Sequence, residues 1–240
     1  MSLRESVATP DGKRRYVRTL FATIADRYDL ITVLLSYGLD QSWKRRLIGL
    51  AHITPGARIL DLATGTGDIA YLLYDTGARV VGLDLTARMV ELARAKRPNG
   101  LRPAWLVGDM AALPFPSGAF DLVTTGYGLR NVPDLAVALG EIVRVLRPGG
   151  ELLSLDFDRP SNPLVRAAYL AYLSLVGGLL GWFLHRDADT YRYIPASIRN
   201  YAGAEGVAKL MRAHGFADAV CYRVLGGFMA IHHARTESPR

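Results

Sequence analysis

Five apolar runs of strand length recur along the chain with helix-sized segments between most of them, and this alternation limits the fold more than any other feature. The runs are ARILDLA (57–63), ARVVGLDL (78–85), RPAWLVGD (102–109), FDLVTTG (120–126) and GELLSLDF (150–157). Helical spacing marks Asp68 to Thr76, Ala87 to Arg97 and Asp134 to Leu146, the last stopped by Pro148-Gly149-Gly150. Strands joined by such segments pair in parallel, because a parallel pair needs a crossover, and the helices then cover both faces of the sheet. The tail differs. A helix over 204–216 leads into DAVCYRVL (218–225) and GFMAIHHA (227–234), whose tight join at Gly226-Gly227 predicts an antiparallel hairpin.

Ahead of the first strand, some fifty residues read as helices around a turn at Ser36-Tyr37-Gly38. At 240 residues, half of them hydrophobic, the chain suits one large α/β core with an appendage. We expect a helical cap over 1–52 and an α/β domain over 53–240 with an insertion at about 161–200. A lone cysteine, Cys221, excludes a disulfide framework within the chain and a multi-cysteine zinc site, and suits a reducing compartment. No apolar signal segment opens the chain, so a cytoplasmic location is expected. His232 and His233 alternate along an apolar strand without nearby carboxylate or thiol ligands and read as structural; no metal is implied.

The first strand ends in LDLATGTGDIA (60–70). A glycine-rich turn between strand and helix brings backbone N–H groups close to a ligand, and Gly65, Gly67 and Ala70 match the dinucleotide pattern G-x-G-x-x-A. Asp84, 17 positions after Gly67 at the end of the second strand, is placed to accept hydrogen bonds from a ribose diol. Both NAD and S-adenosylmethionine carry that diol. Asp61 favours the second, since a carboxylate there would oppose a pyrophosphate but help hold a cationic methionine moiety. Asp109, ending the third strand, suits the adenine amino group. Taken singly, each aspartate also reads as a helix cap or turn residue.

The stretches RYDLIT (27–32), LSYGLDQSWKRR (35–46), LDLATGTGD (60–68), GLDLTARMVELAR (82–94), LPFPSGAFDLVTTGYGLRNV (113–132), VLRPGG (145–150) and DADTYRYIPASIR (187–199) together resemble the ubiquinone and menaquinone biosynthesis C-methyltransferases. The likeness runs from about Thr19 to His233, and GLRNV and DADTYRYIPASIR are its more specific parts. The resemblance implies a class I methyltransferase (Rossmann-like) fold: a seven-stranded sheet with the last strand antiparallel, binding S-adenosylmethionine and releasing S-adenosylhomocysteine. Its cofactor contacts carry over to Thr66, Asp84, Asp109 with Met110, and Gly126. The chain departs from the family with Thr64 for a glycine, Thr32 for an asparagine, Gly126 for a serine and Asp156 for a glutamate. Gly126 must then act through backbone, and Asp156 reaches one methylene less far.

The resemblance further implies a polyprenyl quinol as substrate, methylated on a ring carbon. Such a ring must be electron-rich, and a phenol of pKa near 10 falls short of ionisation at neutral pH by about 4 kcal/mol. A cation hydrogen-bonded to the developing phenolate recovers ~1.5–3 kcal/mol of that. Arg130, just past the fourth strand, is the candidate, with Asn131 orienting the hydroxyl and Tyr28 and Asp29 of RYDLIT in second rank. The competing reading pairs Arg130 with a carboxylate and makes Asn131 the cap of the helix near Asp134. GYGLRN stands where amine-directed nucleic-acid methyltransferases carry Asn-Pro-Pro-aromatic, so no nucleic-acid partner is expected. Other readings are a different class I methyltransferase of an apolar or phenolic small molecule, an NAD-binding oxidoreductase, and a non-catalytic quinone carrier.

From Ala167 to Leu184 there are 18 residues without a charge, the minimum for a membrane span. A crossing there would put the closing hairpin on the wrong side of the bilayer. The segment is expected to be an apolar lid over a prenyl tail, broken at Gly177-Gly178 into two helices; a buried core helix is the plainer alternative. With a net charge of +7 and the clusters Lys13-Arg14-Arg15 and Lys44-Arg45-Arg46, the lid suits peripheral contact with an anionic membrane at its inner face. A homodimer is also held open.

Overall fold

The computed structural model, which describes residues 9–97, 100, 102–187 and 190–238, turns each apolar run into a strand of one seven-stranded sheet. The first eight residues of the expected cap and Ala188-Asp189 of DADTYRYIPASIR lie outside the described residues. Strands β1 (Arg58–Leu62), β2 (Arg79–Asp84), β3 (Ala104–Val107), β4 (Phe120–Gly126) and β5 (Leu146–Phe157) are parallel. β6 (Phe216–Val224) and β7 (Met229–Thr236) form the closing hairpin, β7 lying between β5 and β6 and antiparallel to both. The order is β3-β2-β1-β4-β5-β7-β6. Its direction reverses between β1 and β4, and a crevice for ligands opens beyond the carboxyl ends of those strands.

Helices α4 (Asp68–Tyr74), α5 (Ala87–Ala95), α6 (Leu135–Val145) and α9 (Gly203–Ala213) pack on the sheet. Strand residues such as Leu60, Leu62, Val123 and Leu152 are fully enclosed, as a parallel sheet covered on both faces requires. Asp134 starts α6 by accepting from the amides of Ala136 (2.9 Å) and Val137 (3.3 Å), so Asn131 is free of capping and sits in a 3-10 turn, Leu129–Asn131.

Before the sheet come α1 (Pro10–Ile24), α2 (Tyr28–Leu35) and α3 (Asp40–Ile48). Thr9 caps α1 through its hydroxyl, which accepts from the Gly12 amide at 3.1 Å, with Pro10 in the first turn where no N–H is needed. The two basic clusters, expected on the surface, turn only part of their side chains inward. Lys13 donates to the carbonyls of Arg130 and Val132, Arg14 pairs with Asp109, and Lys44 is buried between Asp40 (2.5 Å) and Asp68 (2.8 Å). Carboxylates and carbonyls beneath the cap offer these cations partners that offset their desolvation, leaving Arg15, Arg45 and Arg46 outside.

Between β5 and α9 the chain inserts α7 (Pro163–His185) and α8 (Tyr193–Asn200). The expected break at Gly177-Gly178 does not occur; α7 is continuous over 23 residues. Gly177 is a packing position. A Cβ there would stand 3.2 Å from Cβ of Tyr191, so the bare backbone lets the returning chain lie against the helix, and that contact offsets the ~1 kcal/mol cost of glycine. Nor is α7 a core helix, since 22% of its most apolar window is buried.

Candidate active site

The turn after β1 places Gly65 at φ 55° and Gly67 at φ 87°, left-handed conformations that glycine adopts without strain. A Cβ on Gly67 would lie 2.5 Å from the Trp105 ring, so this glycine serves the packing of α4 against the sheet. Gly65 serves the site. Its amide donates to Oδ2 of Asp84 (2.9 Å), while the Thr86 amide donates to Oδ1 (2.8 Å). Burial raises the Asp84 pKa and these two amides oppose the rise. Asp84, Gly65, Asp109, Met110 and Gly126 line one narrow cleft of about 80 Å³. Helix α1 roofs it: Nε of Arg14 stands 2.7 Å from Asp109, and Val17 and Phe21 complete the lid.

Beside the cleft, and sharing Gly65, Gly126, Tyr28 and Tyr127 with it, is a recess of about 20 Å³ that includes Asp61, Thr66 and Lys44. Asp61 accepts from the hydroxyls of Thr64 (2.6 Å) and Thr124 (2.7 Å), and burial pushes its pKa up to about 6 despite them. The Thr66 hydroxyl donates to Asp29 at 2.5 Å and accepts from Lys96 at 3.0 Å. Asp29, half exposed, also pairs with Lys96 at 2.9 Å. Burial works against the charge of Lys44, yet Asp68 and Asp40 raise its pKa.

On the other side of Tyr28 lies a cavity of about 530 Å³ between α1, α2 and the insertion. Phe21, Tyr28 and Tyr127 line both this cavity and the cleft. The wall is almost wholly apolar or aromatic, and among the described residues Arg130 is its one charged side chain. Nε of Arg130 donates to Asp156 (2.9 Å) and Nη1 to Ser197 (2.8 Å), while the guanidinium carbon lies 4.9 Å from the Phe157 ring centre. Asn131 lines the cleft, donating to the Tyr127 carbonyl (2.8 Å) and accepting from Nη1 of Arg130 (3.3 Å). Arg130 and Asn131 thus meet where cavity and cleft adjoin. Desolvation pushes the Tyr28 hydroxyl up to about 12, so it stays a neutral phenol.

These groups fit S-adenosylmethionine. The buried carboxylate of Asp84 offers acceptors for a diol, Met110 an apolar wall for a base, and Asp61 negative charge in the recess beside Gly65. The ubiE/COQ5 methyltransferase family model matches residues 9–236. The chain belongs to that family. It is 44% identical over 217 residues to a demethylmenaquinone methyltransferase of Thermus thermophilus, covering 89% of this chain and 98% of the relative. It is 38% identical over 235 residues to a ubiquinone/menaquinone biosynthesis C-methyltransferase of Teredinibacter turnerae, covering 95% and 94%. The fold is similar to that of a SAM-dependent methyltransferase from Thermotoga maritima, with TM-score 0.66 and 18% identity over 91% of this chain and 99% of that one.

As a member of the ubiE/COQ5 family the chain is an S-adenosylmethionine-dependent methyltransferase, which sets aside the NAD reading of the glycine turn. Three side chains at this family site escaped sequence reasoning. Lys44 hid in an apparent surface cluster. Ser197 stood inside DADTYRYIPASIR without a role. Tyr193, from the same stretch, lines the apolar cavity fully buried with its hydroxyl unpartnered among the described residues. An aromatic in such a stretch gives no local sign that its hydroxyl faces a cavity.

Proposed function

We propose that the enzyme methylates a ring carbon of a polyprenyl quinol, a demethylmenaquinol or its benzoquinol counterpart. The observation that carries this reading is the shared wall of Phe21, Tyr28 and Tyr127, with the cofactor cleft on one side and an aromatic-lined cavity holding a single guanidinium on the other. A volume of about 530 Å³ lies in the range that encloses a drug-sized ligand. That suits a quinol head and the first part of its tail.

When bound, S-adenosylmethionine supplies an electrophilic methyl group. The chain's own residues hold the acceptor ring and favour its phenolate. Arg130 donates toward the ring oxygen, with Asp156 and Ser197 fixing the plane of its fork; because Asp156 shares the charge, Arg130 offers directed hydrogen bonds more than a free cation. Tyr193 gives its unpaired hydroxyl to a quinol oxygen, and Asn131, tied to the Tyr127 carbonyl, keeps Arg130 in register with the cleft. Asp84, Asp109 with Met110, Gly65 and Gly126 hold the nucleoside side, and Asp61 the methionine side. Gly67, Thr66 and Asp29 support this arrangement through packing and the link to Lys96.

We place the enzyme in the cytoplasm, in peripheral contact with the membrane that holds its substrate. Turnover with methyl-labelled cofactor on a matched pair of demethyl quinols, benzo and naphtho, tests the function. Label on a ring carbon of either supports it. No transfer to both, with S-adenosylhomocysteine still bound, overturns it.

A further inference from the structure

Both ends of α7 return to the same sheet, through β5 on one side and α8 and α9 on the other. A helix of 23 residues, roughly 35 Å long, therefore lies along the molecule and cannot cross a bilayer. Its inner stripe, with Leu170, Leu173 and Gly177, is buried, and its outer face is not: Leu175 is 66% and Phe183 68% exposed, joined by Leu164, Leu179 and Trp182. Helix α2 extends this face. Its Ile31 and Leu35 pack in one cluster with Leu180 and Leu184 of α7, while Leu30, Val33 and Leu34 point outward. An apolar patch of this kind marks an interaction surface.

Two features say what covers it. The uncharged stretch is flanked by cations, Arg166 at one end and Arg186 at the other, and the Arg186 guanidinium carbon stands 5.6 Å from the ring centre of the exposed Trp182. Cations beside an aromatic and aliphatic face are the pattern of a helix lying in an anionic interface. The second feature is continuity with the cavity. Tyr37 (73% exposed) and Tyr172 (40% exposed) line the apolar cavity and also belong to the outer face, and their hydroxyls meet across the seam between the end of α2 and the middle of α7. Val165 and Leu225, also exposed, complete the rim.

We propose that the α2–α7 face docks on the anionic lipid leaflet and that the Tyr37–Tyr172 seam is the lateral gate through which a prenyl tail passes from the leaflet into the cavity. This rests on the quinol reading above and names where the tail goes. A tail longer than the cavity stays in lipid while the head reaches Arg130, so substrate need never enter water.

Flotation with phosphatidylglycerol/phosphatidylcholine vesicles tests the docking, using wild type and the doubly substituted Leu175→Glu, Phe183→Glu chain, both positions lying outside the cavity. Wild type should float and show Trp182 quenching by brominated lipid. The variant should lose at least tenfold in vesicle binding and in turnover of a vesicle-borne long-tailed quinol, with unchanged melting and unchanged kcat/KM on a tail-free quinol. Vesicle binding retained by the variant, or a wild-type dimer that buries this face and ignores vesicles, overturns the docking. For the gate, Tyr37→Cys and Tyr172→Cys in a Cys221→Ser background are joined by a reducible bis-maleimide. Cross-linking should cut long-tailed turnover at least tenfold more than tail-free turnover, and reduction should restore it. Equal long-tailed turnover before and after reduction overturns the gate. Loss of tail-free turnover by wild type itself would instead strike the quinol reading.

Discussion

Nε of Arg130 lies 2.9 Å from Oδ1 of Asp156, and both side chains are buried, at the wall of the apolar cavity. The sequence left two roles open for Arg130, phenolate stabilisation and pairing with a carboxylate. The structure shows the second, and the guanidinium that Asp156 holds lines the cavity.

Arg130→Gln should therefore destabilise the fold, because it leaves the buried Asp156 carboxylate without its counter-charge, at a cost of about 3–5 kcal/mol. Adding Asp156→Asn should recover more than half of that loss in urea unfolding. Arg130→Lys keeps the charge but not the fork that reaches Ser197, so kcat should fall about 10 to 100-fold, ~1.4–2.8 kcal/mol, with the deficit shrinking as pH rises toward the quinol's own pKa. A deficit flat with pH would remove phenolate stabilisation from its role.

Asp84→Ala removes the acceptor that also ties down Gly65 and Thr86. Calorimetry with S-adenosylhomocysteine should show a loss of ~1.5–3 kcal/mol. Unchanged affinity would move the ribose elsewhere.

Tyr193→Phe deletes a hydroxyl that has no partner among the described residues. Melting should stay the same or rise slightly, while kcat/KM on the quinol falls by roughly five to tenfold, ~1–1.4 kcal/mol. A marked drop in melting temperature would mean that the hydroxyl supports the fold.

Asp61 titrates near 6 in the folded chain against an ordinary 3.8, chiefly because it is buried. The folded state binds that proton more tightly than the unfolded one. Its contribution to stability is thus full below 3.8 and lost as pH rises through 6. Asp61→Asn escapes this loss, so the variant's stability relative to wild type should improve between pH 4 and pH 8 by on the order of 1–3 kcal/mol. A difference that does not change with pH would return Asp61 to an ordinary carboxylate.

Arg14→Ala frees the Asp109 carboxylate from a partly exposed ion pair worth about 0.2–1 kcal/mol. Cofactor binding should tighten by up to about fivefold and lose part of its salt dependence. Weaker binding would show that Arg14 itself touches the cofactor.

The alternation of β1 to β5 with α4, α5 and α6, the turn at Gly65 and Gly67, and the closing hairpin at Gly226-Gly227 were all determined by sequence alone. Their signals are local: apolar periodicity, a cap or a glycine acts within a few residues, and the run of stretches from RYDLIT to DADTYRYIPASIR carries the family in the same direct way. Tertiary structure decided the rest. Arg130 finds Asp156 twenty-six positions away and Ser197 sixty-seven away, Lys44 turns inward to Asp40 and Asp68, and Gly177 keeps α7 whole because Tyr191 packs on it. Whether a charge is buried, and what it then pairs with, depends on which distant groups share its loss of water, and no local pattern encodes that.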